Sequence, residues 1–225
     1  MRLTLLKILT VLIPLAIVMS TGSEAANTKS EGALFLEAVH RGDLERTIRL
    51  IDQGVDVDTR DDRGRTALLL AVHENHIDIA EALIQSGADI NARDDIDDSP
   101  YLYAGAEGRL EILRMTVAAG ADLNSVNRYG GTALIPAAHH GHVETVKYLL
   151  STEIDIDHIN YLGWTALLEA VILGDGGDAH YSIVDMLLRG GADPNIADKD
   201  GVSPLDHTRK KGHKSIIQLI EKYVD

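Results

Sequence analysis

The feature that most limits what this chain can become is a period of 33 residues. Thr66, Ser99, Thr132 and Thr165 stand 33 apart, and Ser203 follows after 38. A second landmark keeps the same register: Gly54-Val55-Asp56, Gly87-Ala88-Asp89, Gly120-Ala121-Asp122, Glu153-Ile154-Asp155 and Gly191-Ala192-Asp193. Self-similarity at this period is the mark of a solenoid, in which each unit leaves an apolar face that only a stacked neighbour can bury. Each unit reads as turn, helix, helix. The Thr or Ser opens the first helix as an N-cap, its hydroxyl accepting a backbone N–H that has no partner within the helix. Pro100 and Pro204 follow at the first helical position, where a missing N–H costs nothing. The second helix carries an apolar stripe such as Ile79, Ala80, Leu83 and Ile84, and stops at a glycine able to turn left-handed.

The 33-residue period, the D-x-x-G-x-T-x-L opening at Asp61 to Leu68, the Gly-His near the end of the first helix and the GAD closing resemble ankyrin repeats. That resemblance implies an all-α ankyrin-repeat solenoid with β-turn fingers. It covers residues 31–225 in six units, 31–60, 61–93, 94–126, 127–159, 160–197 and 198–225. The run NRYGGTALIPAAHHGHVETV, followed by GWTALLEAVILGDGG, is similar to a group of exported bacterial ankyrin proteins, some linked to peroxide defence. Four departures from the pattern mark expected irregularities. Asp97 stands at a turn position usually held by glycine, Pro136 lies in the first turn of its helix, Glu153 replaces the closing glycine, and five extra residues fall within Gly174 to His180, read as a loop between two helices.

The first 25 residues read as a secretory signal rather than as part of the fold, with 26–30 a short linker. Arg2 and Lys7 precede the apolar run Ile8 to Met19, and Ser23-Glu24-Ala25 offers small residues for cleavage after Ala25. The expected location is therefore the periplasm. The alternative is an uncleaved inner-membrane anchor facing the periplasm, since Leu3 to Met19 approaches spanning length. The chain has no cysteine, which removes thiolate metal sites and thiol catalysis. A formal net charge of −14 disfavours nucleic acid and anionic membrane, and favours a basic or neutral protein partner.

No cofactor, metal site or catalytic machinery is expected. Phosphate-cradling and nucleophile-elbow motifs are absent. Of the ten histidines, His76, His142 and His213 sit at the Gly-His position or its equivalent, where the resemblance implies bonding to neighbouring loop backbone. His139 and His140 lack an evident third and fourth ligand. Asp175, Asp178 and His180 match no calcium-loop spacing. Acidic pairs such as Asp61-Asp62 read as solvated turn residues, with nothing to suggest a cleft or a perturbed carboxyl.

The resemblance implies that turn tips and the exposed ends of the first helices line one concave surface. Early units offer an Arg-rich stretch there, including Arg60, Arg63, Arg65 and Arg93. Units four and five offer Tyr129, His139, His140, Tyr161, Leu162, Trp164, Ile172 and Leu173. Aromatic residues and arginines dominate binding hot spots, so Arg63 and Arg65 with this second cluster are the candidate partner-binding residues. The expected function is a periplasmic, non-enzymatic and monomeric module that binds another protein. An inhibitor or immunity protein for a periplasmic enzyme, or an accessory factor in peroxide defence, are the open alternatives; a metal-binding enzyme is the rival of a different class.

Overall fold

The computed structural model describes residues 29–224, so the segment read as a secretory signal, with its expected cleavage point, lies outside the described residues. The described residues form twelve helices in six antiparallel pairs: α1 Glu31–His40, α2 Leu44–Asp52, α3 Ala67–Glu74, α4 Ile77–Gln85, α5 Pro100–Ala106, α6 Leu110–Ala118, α7 Leu134–His139, α8 Val143–Leu149, α9 Ala166–Ile172, α10 Asp178–Arg189, α11 Pro204–Lys211 and α12 Lys214–Ile220. No strand ladder forms among them; one isolated bridge joins Arg60 and Thr66. None of the described helices is long and apolar enough to cross a membrane. First helices stack in one row (α1, α3, α5, α7, α9, α11), and second helices pack outside them in another. The expected all-α solenoid is what the chain builds.

The row a helix joins follows from its apolar pattern. In α3 every residue from Ala67 to Val72 is buried, because the inner helix meets a neighbour on each side and its own partner behind. In α4 only Ile79, Ala80 and Leu83 are buried, the stripe that one contact face requires. The N-caps form at Thr66, Ser99, Thr165 and Ser203, each hydroxyl accepting the N–H three residues on.

Thr132 departs from this expectation. Pro136 has no N–H to offer the Thr132 carbonyl, and a residue before proline is pushed away from helical geometry. The Ile135 N–H turns instead to that carbonyl at 3.2 Å, in a tighter turn, and the Thr132 hydroxyl is left without a partner among the described residues. Unit four is irregular at its other end too. Gly54, Gly87, Gly120 and Gly191 close their helices at positive φ. Glu153 does not; there the Ser151 and Thr152 hydroxyls donate to the Tyr148 and Leu149 carbonyls.

Fingers and units are tied by repeated polar contacts. Asp61, Asp94, Asn127, Asn160 and Asp198 each accept two backbone N–H groups of their own turn through Oδ1. Asp97 takes the positive φ of 65° that its turn demands, as small polar residues do most readily. Arg60 and Arg93, placed by the sequence on the binding face, reach across to the carbonyls of Arg93 and Val126 in the following unit. Their guanidinium groups belong to the stacking interface.

The five extra residues of unit five are only partly loop. Helix α10 begins at Asp178, so His180 lies in its first turn and is buried. Its imidazole meets the Asp175 carboxylate at 2.9 Å and the His139 backbone carbonyl at 2.9 Å, joining unit five to unit four. His76 contacts the His40 carbonyl at 3.3 Å in the same manner. His142 and His213 pack against Gly108 and Gly176. The expected backbone bond is not made by His213 Nδ1, which has no partner among the described residues.

Candidate functional site

Fingers and first helices of units three to five enclose a cleft of about 420 Å³. Its walls are apolar and aromatic: Tyr103 from α5, Ile135 and Pro136 from α7, Tyr129 and Leu162 from two finger tips, and Leu173 after α9. Polar groups enter at defined points. Arg128 pairs with Asp98 at 3.1 Å and lies over the Tyr129 ring at 4.9 Å, which fixes the aromatic wall. Burial raises the pKa of Asp98 even with that guanidinium beside it. His140 Nδ1 is held by the Ala106 carbonyl at 2.8 Å, and its ring stands 4.6 Å from that of His139.

The most unusual group in the cleft is Glu169. It stands in the first turn of α9, at the register position filled by Leu70, Tyr103, Pro136 and His207 in other units. That position faces the groove between inner helices and fingers, so the carboxyl is only 7% exposed. Asn160, whose Oδ1 already holds its own turn, donates through Nδ2 to Glu169 Oε1 at 3.2 Å. Glu169 Oε2 has no hydrogen-bond partner among the described residues; His139 Nδ1 stands 4.0 Å away. Burial pushes the carboxyl up to about 7, with the Asn160 bond and the His140 charge acting in the opposite direction. Burial also lowers the pKa of His139, reinforced by repulsion from His140 and His180. The cleft thus offers an apolar, ring-lined channel with an incompletely satisfied carboxyl in its wall.

Of the residues singled out from sequence, the structure brings Tyr129, His139, His140, Leu162 and Leu173 together around this cleft. Tyr129, Leu162 and Leu173 are 55%, 50% and 44% exposed, open enough to meet another molecule. Tyr161 is exposed outside the cleft and lies over Gly130, donating its backbone N–H to the Tyr129 carbonyl. Trp164 and Ile172 are half-buried and do not line it. Arg65 is held on Asp61 at 2.7 Å and Arg63 is exposed on the same finger, and neither lines the cleft. Arg65 and Asp61 are therefore a part-buried ion pair, which corrects the reading of Asp61 as a merely solvated turn residue.

Sequence reasoning missed the cleft and Glu169, and expected neither. The available signal was positional: Glu169 shares a register column with Leu70 and Tyr103, residues that face inward. The inserted segment does bring Asp175 to His180, but both imidazole nitrogens are occupied. Among the described residues no group of three or more His, Asp or Glu side chains is placed to hold a metal ion.

Comparison with known proteins agrees with this architecture. The family description "Ankyrin repeats (3 copies)" matches residues 6–94 and 101–198. An ankyrin repeat domain from Acinetobacter baumannii AYE superposes with a TM-score of 0.82 at 52% identity, over 84% of this chain and 97% of that one. The ankyrin repeat protein EF0377 superposes with a TM-score of 0.83 at 46% identity, over 88% of this chain and 100% of that one. The putative ankyrin repeat protein YahD of Escherichia coli (strain K12) is 44% identical over 52 residues, 23% of this chain and 26% of its own length. The chain spans about a quarter of that curated relative. Ankyrin repeats generally mediate protein–protein interaction, and proteins built from them are typically non-enzymatic modules. With the profile matching most of its length and two solved ankyrin domains matching nearly end to end, the chain belongs to the ankyrin-repeat family.

Proposed function

We propose that this protein is an exported, non-enzymatic binding module that takes one partner protein on its concave face, with the cleft of units three to five as the anchor. The observation that carries the reading is the exposed cluster of Tyr129, Leu162 and Leu173 around a preformed hollow. Solvent-open aromatic and aliphatic side chains beside a pocket are what interface hot spots are made of. Arg128 clamps the Tyr129 ring in advance, so little ordering is needed on contact. Export rests on the sequence of residues 1–25, and places the partner in the periplasm. An acidic solenoid of net charge −14 suits a basic partner, and inhibition of a basic periplasmic enzyme is one form that such binding would take.

Photo-crosslinking tests this reading in cells that export the full chain. A benzophenone amino acid at position 129 or 162 should yield one dominant protein adduct in the periplasmic fraction. The same group at Gln85, exposed on the outer helix α4, should not. Absence of an adduct at 129 and 162, or equal labelling from 85, would remove the concave-face reading. N-terminal sequencing of the same fraction tests export, with Ala26 as the expected first residue.

A further inference from the structure

Glu169 is a buried carboxyl with one oxygen engaged and one empty. A structural carboxyl at this depth ordinarily has both oxygens satisfied, because an unmet acceptor away from water is costly. Asn160 Nδ2 occupies Oε1 at 3.2 Å, while Oε2 meets no donor among the described residues and the nearest imidazole nitrogen stands 4.0 Å off. The cleft around it carries three carboxyls, Asp98, Glu107 and Glu169, beside the imidazoles of His139 and His140 and the guanidinium of Arg128, which pairs with Asp98. A cation brought to Oε2 would fill the empty acceptor and favour the ionised carboxylate over the neutral one.

We infer that the cleft receives a lysine side chain of the partner protein, its methylene stem against Ile135, Leu162 and Leu173 and its ammonium on Glu169 Oε2. This rests on the proposed binding role and names the chemistry of the anchor. Arginine is the poorer fit. A guanidinium gains its advantage by bridging both oxygens of a carboxylate, and here Asn160 holds one of them. An ammonium is a compact charge that needs a single acceptor oxygen and tolerates close apolar walls along its stem. Tyr103 and Tyr129 add aromatic rings to the walls along which the stem would lie.

The test uses n-butylammonium as the isolated side chain, titrated into the protein and followed by amide and methyl NMR, with n-butylguanidinium and uncharged 1-butanol as comparisons. Butylammonium should give saturable shifts centred on Leu162, Glu169 and Leu173. Glu169→Gln should weaken it at least about tenfold, with no effect on 1-butanol. Glu169→Asp, which keeps the charge but shortens its reach, should fall between the two. No saturable shift, an affinity unchanged in Glu169→Gln, or tighter binding of butylguanidinium would overturn the lysine assignment. A failed titration beside a successful crosslink from position 129 would leave the partner reading standing and remove the lysine. Butylammonium binding with no protein crosslinked would overturn the protein as its source.

Discussion

Replacing Glu169 by Gln should stabilise the fold, and should do so only on the alkaline side. The substitution keeps an oxygen for the Asn160 Nδ2 bond and removes an ionisable group from a buried position. A carboxyl held at about 7 instead of 4.5 favours its neutral form in the folded chain. Between those two values the unfolded chain has lost the proton and the folded chain has kept it, so stability falls as pH rises. At about 1.4 kcal/mol per pH unit the penalty reaches a ceiling of about 3 kcal/mol above pH 7 and vanishes below 4.5. For a solenoid of this size that corresponds to roughly 6–12 °C in Tm. His73, His139 and His142 are each lowered by burial, so their contribution runs the other way, with stability lost as pH falls through the ordinary histidine range. The informative quantity is therefore the difference between Glu169→Gln and the parent chain, in which those histidines cancel. Thermal unfolding followed by circular dichroism from pH 4.5 to 8.5 should show that difference growing from near zero to its full value around pH 7. A difference that does not depend on pH, or a variant less stable than the parent at pH 8, would mean that the carboxyl is well solvated or fully paired. Either result would refute the reasoning.

Three further outcomes test the architecture around the cleft. Thr165→Val should cost about 1 kcal/mol in urea unfolding, because it removes the cap on Leu168, whereas Thr132→Val should be close to neutral, its hydroxyl having no partner among the described residues. Gly201→Ala should cost about 1 kcal/mol from its positive φ alone; Gly130→Ala should cost more, because a Cβ there would stand 2.5 Å from the Tyr161 ring, and the Tyr161 resonances should move. His180→Ala should cost about 2 kcal/mol and speed amide exchange in α7 and at the start of α10, since the imidazole joins Asp175 to the His139 carbonyl.

The fold was legible because its determinants are local and repeated. A cap hydroxyl, a turn carboxylate and a left-handed glycine each act over four or five residues, so Thr66, Asp61 and Gly87 announce themselves in the sequence. Thr132 misled because the same letter in the same register is disarmed by Pro136, four residues on. Glu153 was visible as a departure, but its remedy, two hydroxyls on the last carbonyls of α8, depends on geometry that the period does not carry. The site was legible only in its exposed part. Tyr129, Leu162 and Leu173 betray themselves as apolar residues at surface positions, whereas Glu169 looks like any acid in the first turn of a helix. Its depth comes from how α7, α9 and the Asn160 finger converge, and convergence across units is not a property of any one repeat. The arginines illustrate the converse: Arg60 and Arg93 look available in sequence and are consumed by the neighbouring unit's carbonyls.

Unit four lacks both of the devices that close its neighbours, the hydroxyl cap at its first helix and the left-handed glycine after its second. In a linear array each module leans only on the two beside it, so the first helix of unit four is held by its packing against α5 and α9. The cleft spans that module, with walls drawn also from the units on either side of it. A molecule seated between Tyr103 and Leu173 would touch units three and five at once, and so tie together the two neighbours that unit four joins. The module that lacks these two devices is thus the one that a bound partner would brace from both sides.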